Sequence, residues 1–167
     1  MWIASGAAWS VVGTAGFSAG AADYTSLAIR PNTGAPYLAY KDAANSEKAT
    51  VTTFTNGAWK PVGSVAPSGA GFSDQSRGFS AGRADYISLA MHPTTGAPYV
   101  AYTDYANSGK ATVMTFTDGA WSLVGSRGFS AGSTKYTSLA MHPSTGAPYV
   151  AYQDGGNSGK ATVMTFG

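Results

Sequence analysis

The pentapeptide Gly-Phe-Ser-Ala-Gly occurs three times, at Gly16–Gly20, Gly78–Gly82 and Gly128–Gly132. Its letters satisfy the Gly-x-Ser-x-Gly pattern of a nucleophile elbow, where a strained turn presents a serine hydroxyl to a distant histidine and acid. That chemistry needs a strand before the serine and a helix behind it, and no helical periodicity follows any copy. As a phosphate cradle the motif lacks the Lys-Ser/Thr pair and the helix N-terminus of a P-loop. Repetition points instead to a structural joint.

A second constellation, Asp-x-x-Asn-Ser-x-Lys, also recurs: Asp42, Asn45 and Lys48; Asp104, Asn107 and Lys110; Asp154, Asn157 and Lys160. Short polar side chains at this spacing bond the backbone of a tight turn, with Lys facing Asp across the paired strands. The competing reading is a ligand loop. Calcium is a poor fit, since each loop offers few carboxylates and a lysine competes with the cation. His92 and His142 occupy matching places, where the first unit has Arg30, and no third ligand accompanies them. Tyr24, Tyr86 and Tyr136 open a strand in each unit and suit stacking against a sugar or packing against neighbours. The candidate ligand-binding set is therefore Tyr24, Tyr86, Tyr136, Asp42, Asn45, Asp104, Asn107, Asp154 and Asn157. No catalytic residue, metal ligand or cofactor site is expected.

The elements that position these residues follow from a long repeat. Tyr24–Gly63, Tyr86–Gly125 and Tyr136–Phe166 share one frame, and the last two units are fifty residues apart. The first step is longer because of an insert around Val-Ala-Pro-Ser-Gly-Ala-Gly-Phe-Ser-Asp-Gln-Ser. Each unit reads as four short strands, exemplified by YTSLAMHP, APYVAYQD, KATVMTF and AWSLVG. Between the last two strands stands Asn56-Gly57 or Asp118-Gly119, the strongest short hairpin signal. About fifty residues and four strands per unit is the arithmetic of a β-propeller blade. The units divide into a closing strand at 1–15, blade 1 at 16–63, an insert at 64–77, blade 2 at 78–125 and blade 3 at 126–167.

The VAYxD…KATVM…W..VG frame resembles that of bacterial β-propeller repeats and covers essentially the whole chain. The resemblance implies an all-β fold of four-stranded blades and no particular activity. Three blade equivalents fall short of the four to eight typical of propellers. Aligned on the repeat, Gly6–Gly13 (GAAWSVVG) is a fourth strand, whereas the third unit reads only as far as its third. The expectation is ring closure by oligomerisation: a homodimer of six blades, with a homotrimer of nine as second choice and a fragment of a longer array as the alternative. The exchanged strand would pair an otherwise open edge.

Bulk composition narrows the partners. Net charge is +2 without a basic run, so nothing marks a nucleic-acid surface, and no apolar stretch reaches membrane-span length. The first residues lack the n-region and h-region of a signal peptide. Cysteine is absent, which excludes disulfides and thiolate chemistry. Only 11% of residues are charged and Ser, Thr and Gly abound, a weak lean towards a cell-surface or secreted setting. The sequence thus reads as a non-enzymatic, multivalent binding module for a carbohydrate or protein surface. The alternative is a recently duplicated or engineered scaffold without a selected ligand.

Overall fold

The computed structural model describes residues 8–63 and 78–167; most of the closing strand's first half and the 64–77 insert lie outside them. Within these residues the chain forms three antiparallel sheets in sequence order. The first contains β1 (Ala22–Ile29), β2 (Pro36–Asp42), β3 (Lys48–Thr55) and β4 (Ala58–Pro61). The second repeats it with β5 (Ala84–Met91), β6 (Pro98–Asp104), β7 (Lys110–Thr117) and β8 (Ala120–Leu123). The third has β9 (Thr134–Met141), β10 (Pro148–Asp154) and β11 (Lys160–Thr165), with β11 at its outer edge. The all-β, blade-like architecture read from the repeat is therefore present.

Local chemistry sets the hairpins. Asn56-Gly57 and Asp118-Gly119 have positive φ at both residues, as a two-residue turn between right-twisted strands requires. One difference from the sequence reading is a single 3-10 turn at Ala43–Asn45, Tyr105–Asn107 and Gly155–Asn157. In each, the preceding Asp accepts a backbone N–H two residues on, so a side-chain cap substitutes for helical periodicity.

The sheets pack face to face. One apolar core joins Tyr37, Ala39 and Val51 to Leu89, Val100 and Tyr102; a second joins Ala101 and Val113 to Leu139, Val150 and Tyr152. The first strand of each sheet is innermost, since β5 packs against both β1 and β9. Here the Leu89 N–H donates to Ser26 Oγ at 3.0 Å, and the Leu139 N–H to Ser88 Oγ at 2.9 Å.

The Gly-Phe-Ser-Ala-Gly segments are the crossings between sheets. Phe79 N–H donates to Ala49 O at 2.9 Å, and Ser80 Oγ accepts from Ala49 N–H at 2.9 Å while donating to Gly82 O at 2.7 Å. Phe129 and Ser130 repeat these bonds on Ala111 and Gly132. Both serines are buried, and their hydroxyls are committed to the crossing. The final glycine permits close approach: a Cβ on Gly132 would lie 2.3 Å from Gly156 N. Phe79 fills the gap between sheets, stacked on Trp121 at 3.9 Å and edge-on to Tyr102.

Residues 8–15 pair with no strand of their own chain, and Trp9 is fully exposed. Val12 to Phe17 do engage the first sheet, because Trp59 stacks on Phe17 and donates its indole N–H to Val12 O. If the crossing phenylalanine is the wedge between sheets, Phe79→Ala should lower the urea-unfolding free energy by about 3 kcal/mol. A loss below about 1 kcal/mol, measured by tryptophan fluorescence, would contradict that role.

Candidate functional site

The start of each inner strand carries a tyrosine in a conformation that non-glycine residues avoid. Tyr24, Tyr86 and Tyr136 have φ of 51°, 50° and 54°. Each lies at a bulge, where two residues oppose one: Tyr24 and Thr25 face Tyr40 between the Asp23–Lys41 and Ser26–Ala39 pairs. The left-handed region costs roughly 1–2 kcal/mol for a residue with a Cβ. The bulge turns the three rings into a file, Tyr24 to Tyr86 at 4.9 Å and Tyr86 to Tyr136 at 4.9 Å, and Tyr24 and Tyr136 are exposed.

A charged cluster lies beside this file, between the first and second sheets. Lys41 comes from the end of β2, and its side chain is only 8% exposed. Its Nζ is 3.1 Å from Asp23 Oδ2, 3.6 Å from Asp85 Oδ1 and 3.9 Å from Glu47 Oε1. Arg83, just before β5, holds Asp85 through two bonds, Nη2 to Oδ2 at 2.7 Å and Nε to Oδ1 at 3.1 Å. The Arg83 Nε is also 3.4 Å from Glu47 Oε2. Lys41 Nζ stands 5.2 Å from the Tyr24 ring centre, and the Arg83 guanidinium 4.8 Å from that of Tyr105. Burial disfavours the Lys41 charge, but the Asp23 hydrogen bond and the Asp85 and Glu47 carboxylates outweigh it and raise its pKa. The Asp85 hydrogen bonds likewise raise that of Arg83. Burial, then the Asp85 charge, raises the Tyr24 phenol.

This cluster was absent from the sequence reading, which followed what the units share. Its signal lies where they differ. The place of Lys41 is taken by Thr103 and Gln153, that of Glu47 by Gly109 and Gly159, and that of Arg83 by Ala21 and Ser133. Tyr105 stands where the other units have Ala43 and Gly155. Glu47 is the most telling departure: its φ is +57°, close to the +70° and +75° of its glycine counterparts. A glutamate has replaced glycine at a position that favours glycine.

The expected turn residues lie on the same face. Asp42, Asp104 and Asp154 are buried, and their carboxylates serve the turn. Asp104 Oδ2 accepts from Asn107 Nδ2 at 2.8 Å and Thr112 Oγ1 at 3.1 Å; Asp154 does the same with Asn157 and Thr162. Asp42 Oδ2 takes Thr50 Oγ1, while the Asn45 amide, buried against Gly78, makes no hydrogen bond of this type. The three tyrosines are thus brought together, whereas the six turn residues contact their own turns and the crossing segments. His92 and His142 lie at the other end of the strands, their Nδ1 accepting from Thr94, Thr95 and Thr145 N–H groups. Among the described residues no group of three His, Asp or Glu side chains is placed to hold a metal.

No protein-family model matches the sequence, and no curated protein matches it either. Two solved structures are similar in shape. One is a fucose lectin from Kordia zhangzhouensis in complex with methyl-fucoside, with TM-score 0.48 and 9% identity over 85% of this chain and 91% of that one. The other is a putative exo-beta-1,3-galactanase from Bifidobacterium bifidum s17, with TM-score 0.43 and 13% identity over 79% of this chain and 45% of that one. Likeness at this level assigns neither a ligand nor a reaction.

The cluster has an alkaline signature. Lys41 and Tyr24 both have raised folded-state pKa values, so the folded chain holds their protons more tightly than the unfolded chain does. Their contribution is fully present below about pH 10 and is lost as pH rises through the folded values. Urea midpoints should therefore hold from pH 8 to about pH 10 and fall above it, and Lys41→Gln should fall less than wild type. Equal losses would remove Lys41 from the account.

Proposed function

We propose that the chain is part of a propeller ring and works as a non-enzymatic binding module for carbohydrate, with Tyr24 and Tyr86 as the platform and Lys41, Glu47 and Arg83 beside it. One observation carries this reading: three charges that break the repeat, Lys41, Glu47 and Arg83, converge on one junction, next to aromatic rings held at a backbone cost. Between the second and third sheets the place of Lys41 is held by Thr103, which donates instead to Thr134 O. A sugar presents C–H faces to aromatic rings and hydroxyl pairs to carboxylate and guanidinium groups, and both are within reach here. The turn residues Asp42, Asn45, Asp104, Asn107, Asp154 and Asn157 support the loops beside this platform, with few atoms free for contact. One such junction per chain makes a ring of several chains multivalent, raising avidity without a strong single site.

A non-enzymatic role fits the ion pairing. Glycoside hydrolysis needs one carboxyl that donates a proton and a second placed opposite it. Asp85 and Glu47 instead converge on the same two cations, and Asp23 pairs with Lys41. Low charge with abundant Ser, Thr and Gly suits a cell-surface or secreted setting, and among the described residues no helix is long and apolar enough to cross a membrane.

The second reading, a scaffold without a selected ligand, draws on the thrice-used Gly-Phe-Ser-Ala-Gly and Asp-x-x-Asn motifs, whose polar atoms are consumed in construction. A glycan array with the intact chain separates the two. Saturable binding to a defined sugar is expected, and Tyr24→Ala should weaken it about tenfold, near 1.4 kcal/mol. Glu47→Gly should also weaken it while changing stability by less than about 1 kcal/mol, since relief of the left-handed backbone offsets partly exposed ion pairs. Silence across the array with saturable capture of a protein surface would replace the sugar, and silence in both would leave the scaffold.

A further inference from the structure

Two tryptophans already show how a fourth strand is seated. Trp59 pairs with Phe54, stacks on Phe17 at 4.5 Å and donates its indole N–H to Val12 O at 3.0 Å. Trp121 pairs with Phe116, stacks on Phe79 at 3.9 Å and donates to Val62 O at 3.1 Å. The third sheet repeats every partner of this seat but holds no tryptophan. Phe166 matches Phe54 and Phe116, Phe129 matches Phe17 and Phe79, and Val124 matches Val12 and Val62. Between them is an open, mostly apolar pocket lined by Val113, Val124, Phe129, Val150, Met164 and Phe166.

The sequence also contains a tryptophan without a seat. Trp9 aligns with Trp59 and Trp121, is followed by the same Val-Gly, and is fully exposed in its own chain. Its strand cannot turn back freely, because Val12 and Phe17 are already held on Trp59. We propose that residues 8–11 of one copy form the fourth strand of the third sheet of a second copy, with Trp9 filling this pocket. The register follows from the other units: Trp9 opposite Phe166, Ser10 opposite Thr165 and Val11 opposite Met164. The indole N–H then donates to Val124 O, and its ring lies on Phe129.

An independent observation points to the same partner. Leu27 is 62% exposed on the first sheet, whereas its counterparts Leu89 and Leu139 are 6% and 7% exposed beneath the preceding sheet. Val163 is 64% exposed on the third sheet, whereas Val51 and Val113 are 0% and 3% exposed beneath the following one. The two bare faces are therefore the two halves of a contact that the chain already makes twice. Joining them head to tail lets the Leu27 N–H reach the partner's free Ser138 hydroxyl, as Leu89 reaches Ser26 and Leu139 reaches Ser88. Such a contact is heterologous, and it closes when the rotation completes a circle. Two copies make six blades, inside the range that propellers occupy.

This names the partner that completes the proposed ring, and it does not depend on the ligand being a sugar. Light scattering after size exclusion should give twice the 17.0 kDa chain mass for wild type and the single-chain mass for Trp9→Ala, with the strand circular-dichroism signal retained. Because the chain has no cysteine, Ser10→Cys with Thr165→Cys gives a clean report: oxidation should produce a covalent species of two chains. A wild-type monomer, or a disulfide formed within one chain, overturns the exchange, and a mass of three chains overturns the six-bladed count. A dimer that binds no glycan sinks only the carbohydrate reading, and a monomer that binds one sinks the ring while leaving the carbohydrate reading in place.

Discussion

Trp121 lies flat on Phe79 while its indole N–H is bonded to Val62 O, and this one arrangement ties the outer strand of the second sheet to the segment that leaves the first. It joins an apolar stack to a satisfied, half-buried donor, so it is directional as well as adhesive. Everything towards the centre follows from it. The crossing lies along the free half of β3, its serine hydroxyl takes the Ala49 N–H, and β5 is delivered beside β1.

Two kinds of residue can then be separated. Those common to all units build the frame: the glycines at the crossings, the capping aspartates and the inner-strand serines. Of those that differ, one group meets at one place. Lys41, Glu47, Arg83 and Tyr105 have no charged or aromatic counterpart in the other units, yet they come from both sides of a single junction. Burying most of the Lys41 side chain is tolerated because three carboxylates surround its ammonium, and a bidentate arginine offsets the charge on Asp85. A repeat frame supplies rigidity, and local departures supply chemistry.

Backbone strain follows the same division. The left-handed tyrosines recur in every unit, so the bulge belongs to the frame and aims three rings along one line. The left-handed Glu47 occurs once, where glycine would be easier, and its carboxylate reaches both cations of the cluster. That strained position joins the two cations in the proposed site.

Strand positions, hairpin turns and the structural use of Gly-Phe-Ser-Ala-Gly were legible in the sequence, because alternation, Asn-Gly and Asp-Gly pairs and repetition all act over short range. The Asp-x-x-Asn turns were legible for the same reason, although the 3-10 turn after each aspartate was not, since a side-chain cap leaves no periodic pattern. The tyrosine file was only half visible: the residues recur in the sequence, but their left-handed φ arises from a bulge that pairing with β2, β6 and β10 imposes. The charged cluster was hidden, because Asp23, Lys41 and Glu47 approach Arg83 and Asp85 only when one sheet is stacked on the next. The sequence by itself determined the blades, through local pattern and repetition. Only the tertiary structure decided which differences between blades meet, since that depends on contacts between sheets that no local rule encodes.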